Sequence, residues 1–589
     1  MKHKFLKITL IFAMLILFTP LIASAASSGT CGAGGDNLTW TLDDNGTFTI
    51  SGRGDMVDYG SYSAVPWYND RLAIRTVIIE EGVTHIGSFS FEYCGLLTSV
   101  TIPDGITSIG ECAFKDCVRL ISIAIPESVT SIGGNAFMAC RDLESVYISD
   151  LVAYLNISFG RGESNPTQYA SELYLNNEQV TEIDIPDGIK QIPVYAFDGC
   201  SSLTRVTIPD SVTSIGKRAF CGCGLRDELI IPDSVKSIGD DAFSGCRDLT
   251  SINIGSGVKS IGNHAFARCS QLTSITIPDN VISIGGYAFE NCSGLTDAVI
   301  GNGVVTIGTY AFSRCKNMEN ISIGSGVMNI GNFAFAQCIK LTDVRIPDNV
   351  LSIGGGAFAW CDNLSSVEIG DNVISIGFEA FQFCPELTNI TFPGNVSTIG
   401  RRAFKYCRKL NLVTIPKSVK KIEESAFLDC DAIKYVEYGG SESEWNEIYI
   451  GEENDNLKKS VYYNSANAPV PKETIHVNVD DREVSFDVAP QLVNERTLVP
   501  LRAIFEALGA IVDWDKETQT ITSIKDNTVI KMTIDSDVMY VNDEEVILDV
   551  PATIVNERTL VPVRAISEAY NANVEWDGDS KTVKITSAK

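Results

Sequence analysis

Ala265-Phe266-Ala267-Arg268-Cys269, followed by Leu272, Ile275, Ile277-Pro278, Val281 and Ile284-Gly285, is one turn of a pattern that fills most of this 589-residue chain. Cysteine returns at one fixed step, as Cys94, Cys117 and Cys140, then as Cys200, Cys223, Cys246 and onward to Cys430. Each of these fourteen cysteines has a phenylalanine at the same place before it, from Phe91 to Phe427. A fixed period of this length predicts a solenoid, in which each coil buries its apolar face only against its neighbours. Ile275 and Ile277 alternate, so both lie on one face of a short strand. Pro or Gly follows that strand in thirteen of the fourteen units, Ser149 being the exception. Either residue ends the strand, Pro by lacking a ladder donor and Gly by permitting a bend. Stacked coils then place Phe266, Phe289 and Phe312 in one column and Cys269, Cys292 and Cys315 in another. The fold class is mainly β: a repeat solenoid of parallel strands, followed by a small α+β domain with an internal duplication.

The recurring A-F-x-x-C and I-P-x-x-V-x-x-I-G signatures resemble the BspA-like, or Treponema-type, leucine-rich repeat of bacterial surface proteins. The resemblance spans residues 74–437. It implies secretion or surface display, and adhesion to host proteins or other cells. Three segments depart from the period. Residues 26–73 carry two alternating runs, Leu38 to Leu42 and Thr47 to Ile50, around Asn45-Gly46; this reads as a hairpin capping the first coil. Residues 141–180 form an irregular island, because Cys140 and Cys200 stand farther apart than two periods. Residues 438–463, with Trp445, read as the second cap, since an open sheet end invites aggregation.

The N-terminus reads as a signal peptide over residues 1–25: Lys2, Lys4 and Lys7, an apolar Ile8 to Phe18, Pro20, and Ala23-Ser24-Ala25 as a cleavage site. An uncleaved anchor is the alternative. Cys31 lacks the preceding spacing of a lipoprotein site, and no covalent sorting motif is visible in Ile585 to Lys589. Residues 464–474, around Ala468-Pro469-Val470-Pro471, read as a linker.

A second duplication follows. Val493-Asn494-Glu495-Arg496-Thr497-Leu498-Val499-Pro500 returns as Val555-Asn556-Glu557-Arg558-Thr559-Leu560-Val561-Pro562. Each copy leads into a helical pattern, Leu501 to Leu508 and Val563 to Tyr570, with Pro before it and Gly509 or Asn571 after it. Residues 475–589 resemble the copper amine oxidase N-terminal (stalk) domain. That domain lies outside the oxidase catalytic region, so the resemblance implies a stalk, wall-contact or self-association role.

The net charge of −28 makes nucleic acid and anionic lipid poor partners. Copper-oxidase chemistry needs converging imidazoles. The four histidines are His3 in the leader, His85, His264 and His476, the last three expected on the surface. No phosphate loop, nucleophile elbow or zinc-helix motif is present. The expectation is no enzyme, no catalytic residue, no metal and no cofactor. The fourteen periodic cysteines read as buried thiols, although neighbouring coils are near disulfide range. Cys31, Cys112 and Cys221 lie outside the ladder, and a bridge from Cys112 to Cys117 stays open. Asp104, Asp210, Asp233, Asp279 and Asp348 read as turn formers, with calcium binding or a paired-carboxylate site as alternatives. The glycines at 133–134 and 354–356 read as corners.

Two alternate positions in each strand that follows a repeat cysteine point outward. The candidate binding face comprises Ser99, Thr101, Tyr147, Thr207, Asn253, Thr276, Asn320, Ser322, Arg345, Glu368 and Thr391, with Ser122, Ser145, Ser251 and Ser274 in the same columns. A broad polar face of this kind suits an extracellular protein or glycan. The expected function is a secreted, cell-surface or wall-associated binding protein of adhesin type, contacting the wall or itself through the C-terminal domain, with no membrane insertion after signal cleavage. A structural envelope protein is the alternative, and an amine oxidase relative the third reading.

Overall fold

The computed structural model describes residues 27–160, 164–458, 461–463, 476–480, 482–484, 490–493, 496–515, 518–534, 536–548, 550–555, 558–577 and 582–587. The expected leader and linker lie outside them. The chain divides into two compact units at Ala468 and Pro469.

In the first unit every regular coil carries a longer strand and a short one. Ser274–Ile277 pairs in parallel with Asp297–Ile300, and Ser283–Ile284 with Thr306–Ile307. The short strands form one parallel twelve-stranded sheet from Gln191–Ile192 to Tyr449–Ile450. The longer strands form a broken series of sheets. Each break falls at a coil whose strand runs into proline: 126, 186, 232, 278, 347 or 393. At Gly301 and Gly439 the glycine N–H donates to the preceding coil, to the Ile277 and Ile415 carbonyls at 2.9 Å. Proline has no such donor. At Pro103, Pro209 and Pro416 the strands stay joined, their pairing with the preceding coil ending short of the proline, at Thr101, Thr207 and Thr414.

The A-F-x-x-C segment is not helical. Alternate residues bond to the next coil: the N–H groups of Tyr287, Phe289 and Asn291 donate to the carbonyls of Thr309, Ala311 and Ser313 at 2.7–2.8 Å. The intervening N–H groups of Ala288, Glu290 and Cys292 reach back within their own coil, to Gly285, Tyr287 and Phe289. This zigzag puts two residues per coil in the left-handed region, for example Tyr287 (φ 59) and Asn291 (φ 58). The segment satisfies its backbone largely between coils, which is why one coil cannot stand alone.

The phenylalanine column is continuous from Phe197 to Phe427, with ring centroids 5.0–5.4 Å apart. Beside it each thiol from Cys223 onward donates to the phenylalanine carbonyl of the preceding coil, for example Cys269 to Phe243 at 3.4 Å, Cys292 to Phe266 at 3.2 Å and Cys315 to Phe289 at 3.3 Å. The seventeen cysteines are free thiols, so the Cys112–Cys117 bridge is not made. Glycine in I-G marks a close backbone approach: a Cβ on Gly308 would lie 2.5 Å from the Gly285 carbonyl carbon.

At the N-terminus the hairpin forms as expected, Gly35–Leu42 against Thr47–Gly52, and Thr47–Gly52 then pairs in parallel with Thr76–Ile79. Ser27–Gly32 adds an outer strand. Trp40, Phe48 and Trp67 close the phenylalanine column above Phe91. The island is a modified coil. Ser158–Phe159 and Glu172–Leu175 continue the two parallel pairings; the helix Leu151–Leu155 replaces the turn between the longer and the short strand, and the single 3-10 turn Pro166–Gln168 stands where A-F-x-x-C would. Tyr154 and Asn165 donate to the Ala196 carbonyl at 2.7 and 3.0 Å, standing in for missing backbone donors. The expected second cap also continues both ladders, through Tyr449–Ile450 and Val461–Tyr463. Its buried Asn454 accepts from the Phe427 N–H at 3.0 Å, which otherwise has no next coil to reach.

The second unit carries the duplication as a pseudo-two-fold. Strands Arg496–Pro500 and Arg558–Pro562 pair antiparallel, Leu498 opposite Pro562 and Pro500 opposite Leu560. Helices Leu501–Ala507 and Val563–Ala569 follow. Gly509 (φ 78) and Asn571 (φ 59) adopt the left-handed geometry that ends them.

Candidate functional site

The outward positions of the longer strands are set by pleat alternation. In Ser274–Ile277 the serine and threonine are exposed while both isoleucines are buried. Ser99, Thr101, Thr207, Asn253, Thr276, Asn320, Ser322, Arg345, Glu368 and Thr391 are all exposed. Tyr147 is half-buried, because its ring stacks on Tyr174 of the island at 4.8 Å. Ser145 is a correction: Glu172 of the island covers it, and it is buried.

The face is interrupted where Pro347 breaks the sheet. Asn320–Ile323 and Asp343–Ile346 are not paired, and a cleft of about 570 Å³ opens there. Ile321, Ser322 and Ile323 line one side; Arg345, Pro347 and Asp348 line the other. Ile321 and Ile323 are half-exposed here, whereas the equivalent residues of the coil before are buried. Arg345 pairs loosely with Glu368 at 3.5 Å, both largely exposed. The guanidinium is therefore available to a carboxylate, sulfate or phosphate, and the isoleucines offer an apolar floor.

Three of the five turn aspartates also act between coils, which adds to the local reading. Asp233 accepts from the Ser256 N–H at 2.7 Å, Asp279 from that of Asn302 at 2.6 Å and Asp348 from that of Asp371 at 3.3 Å. Gly355 and Gly356 are more than corners: a Cβ at either would meet the ring of Phe378 or Phe333 at 2.2 or 2.1 Å.

His85 is held in place instead of lying on the open surface, between Ser108 at 2.7 Å and Asp58 at 3.0 Å. Its side chain is only 16% exposed. His264 stacks on Tyr287 at 4.6 Å, and His476 bonds Glu483. Among the described residues no group of three or more His, Cys, Asp or Glu is placed to hold a metal ion. Burial pushes the thiols up, Cys292 to about 12 and Cys112 to about 11. Cys221 is half-buried beside the Asp198–Arg218 pair, which is bidentate at 2.8 and 3.1 Å. In the second unit a cavity of about 650 Å³ is lined by Arg496, Met539, Val546, Leu548, Arg564 and Glu568.

Two columns escaped the sequence reading, one largely exposed and one of half-buried rings. Ile282, Val305, Met328, Leu351 and Ile374 follow the buried valine of five successive coils. An aromatic column runs through His264, Tyr287, Tyr310 and Phe333, with centroids 4.6–4.9 Å apart, and passes to Trp360, Phe383 and Tyr406. Aligning the coils shows the first signal, since the same position holds Lys236, Lys259 and Lys420 elsewhere.

The BspA type leucine rich repeat region model matches residues 67–159, 167–296, 217–342 and 328–468. The chain belongs to the BspA-type leucine-rich-repeat family. The copper amine oxidase N-terminal domain model matches residues 478–585 of this BspA-type protein. Among solved structures, a leucine rich cell surface protein from Faecalibacterium prausnitzii is 28% identical, with 72% of this chain and 98% of that one covered and a TM-score of 0.38. A leucine-rich repeat protein from Bacteroides ovatus is 26% identical, covering 73% and 98%, at a TM-score of 0.42. No curated protein matches. No helix among the described residues of the BspA-type chain is long and apolar enough to cross a membrane.

Proposed function

We propose that this BspA-type chain is an exported, non-catalytic binding protein of adhesin type, displayed at the cell surface, whose solenoid holds an extracellular protein or glycan. The supporting observation is the periodic exposed polar face, opened into the cleft between Asn320–Ile323 and Asp343–Ile346. A rigid row of short polar side chains at a step of about 4.8 Å favours an extended ligand over a small molecule. The C-terminal domain contacts the wall or a second copy.

The test is binding of the purified full chain to arrays of matrix proteins and glycans, with Arg345→Glu and Ser322→Arg as face variants. Saturable binding weakened at least tenfold by either variant supports the reading. Absence of saturable binding to any ligand, with retention in wall fractions, would favour a purely structural envelope role.

A further inference from the structure

The aliphatic column runs along the start of the short strands of the twelve-stranded sheet, whereas the polar candidate face lies on the longer strands. Ile282, Met328, Leu351 and Ile374 are 54%, 41%, 39% and 50% exposed, and Phe378 in the last of these coils is 46% exposed. Val305 between them is half-buried. The position after each aliphatic residue carries Ser283, Thr306, Asn329, Ser352 and Ser375; past the next Ile-Gly stand Gly286, Thr309, Asn332, Gly355 and Phe378. No ionisable side chain occupies these columns across five coils, in a chain of net charge −28. Contiguous exposed apolar surface rimmed by polar residues marks an interaction site.

The ends of this neutral window carry both signs with a basic excess: Lys217, Lys236 and Lys259 with Asp240 and Asp241 before it, and Arg401, Arg402, Lys420 and Lys421 with Glu379, Glu423 and Glu424 after it. The coil before it presents Lys259, and the coil after it presents Arg401 and Arg402. Arg402 is answered by Glu379 at 3.5 Å and Arg401 by Glu424 at 3.3 Å. Further out, Lys236 and Lys420 reach backbone carbonyls, of Asp233 and Lys417, at 3.4 Å. A second copy laid antiparallel would bring basic excess against basic excess. A partner with carboxylates at its ends complements the pattern.

The spacing selects the partner's form. Coils are about 4.8 Å apart, so five aliphatic residues span about 19 Å. One helical turn is about 5.4 Å, which accumulates only about 2 Å of mismatch over four steps. Same-face residues of a strand are about 7 Å apart and fall out of step within two coils. We propose that this window docks an amphipathic helix of a partner protein, with one aliphatic residue per turn over about four turns and acidic residues at both ends. The inference rests on the binding-protein reading and names a second face for it.

The probe is a fluorescent peptide with leucine at helical spacing, alanine and glutamine between, and three glutamates at each end. Anisotropy with the full chain should show saturable binding. Met328→Asp with Leu351→Asp should weaken it at least tenfold, and Met328→Ser with Leu351→Ser several-fold. Both pairs sit at exposed positions, and circular dichroism confirms folding. Lys259→Glu should weaken binding and flatten its salt dependence, while Ser322→Arg on the polar face should change nothing. Equal binding of a lysine-ended or sequence-scrambled peptide, binding to anionic vesicles in place of the peptide, or unchanged binding by the aspartate pair would each overturn the proposal. Loss of the peptide result alone, with array binding still sensitive to Arg345→Glu, would sink this inference and leave the proposed function standing.

Discussion

Truncating Phe312 to alanine strikes the middle of the stacked spine. Its ring is fully buried, 5.0 Å from Phe289 and 5.4 Å from Phe335. Removing a buried phenylalanine costs about 3–5 kcal/mol, cavity included. Leucine at this position restores most of the volume but forfeits two ring pairs, each worth about 0.5–1.5 kcal/mol, so Phe312→Leu should cost about 1–3 kcal/mol. Because each coil touches only its neighbours, the damage should stay local. The amides of Phe289 and Phe312, which donate to Ala311 and Ala334 at 2.7 Å, should exchange roughly a hundred- to a few-thousand-fold faster. Amides near Phe114 and Phe137 should be unaffected. Urea unfolding and hydrogen exchange, with Ser322→Ala as the surface control, measure this. A cost within about 0.5 kcal/mol of that control, or exchange raised evenly along the chain, would refute the stacked-column reasoning.

Three further outcomes follow from the same geometry. Pro347→Ala supplies an N–H aimed at the Ile323 carbonyl; the hydrogen bond gained, about 0.5–1.5 kcal/mol, is offset by lost chain stiffness of about 0.4–1 kcal/mol. Thermal stability should barely move, while the substituted residue gains a protected amide and the cleft narrows; an unprotected amide there contradicts the proline origin of the sheet breaks. Burial raises the thiols, Cys31 and Cys140 both to about 12. Native protein near neutral pH should therefore react slowly with thiol reagents, and rapid modification of several ladder cysteines before unfolding would argue against the column. Burial alone would raise the Asp58 carboxyl, but bonds from Ser88 and His85 outweigh it and hold it below the usual carboxylate range. Its stabilising contribution is present above about pH 4 and is lost as pH falls through the lowered folded value. Asp58→Asn should flatten the acid limb of cap unfolding, read by exchange near Ser88; an unchanged limb counts against it.

The coil was legible because its determinants are local and repeated: Phe and Cys at fixed spacing, alternating isoleucines, and glycine where coils approach closely. The duplicated helices were legible from Pro500, Pro562, Gly509 and Asn571 for the same reason. What depended on the neighbouring coil was not. Asp279 looks like a turn former in sequence, yet its partner is the N–H of Asn302. Ser145 sits at an outward position, yet the island folds Glu172 over it. The six sheet breaks follow from prolines visible in sequence, but their consequence, an open cleft beside Arg345, depends on which carbonyl each missing donor would have met. Ile282, Met328 and Leu351 resemble core residues by type. Their place outside it shows only when the coils are aligned, against Lys236, Lys259 and Lys420, and in the burial of each side chain.

The most direct test of the stacked solenoid is a long-wavelength anomalous map from crystals of the full chain, which locates sulfur atoms directly. The sulfurs from Cys200 to Cys430 should lie in one gently curved row with a step of about 4.8 Å. Sulfurs joined in pairs, gathered around a metal, or scattered among separate lobes would contradict the stacked solenoid.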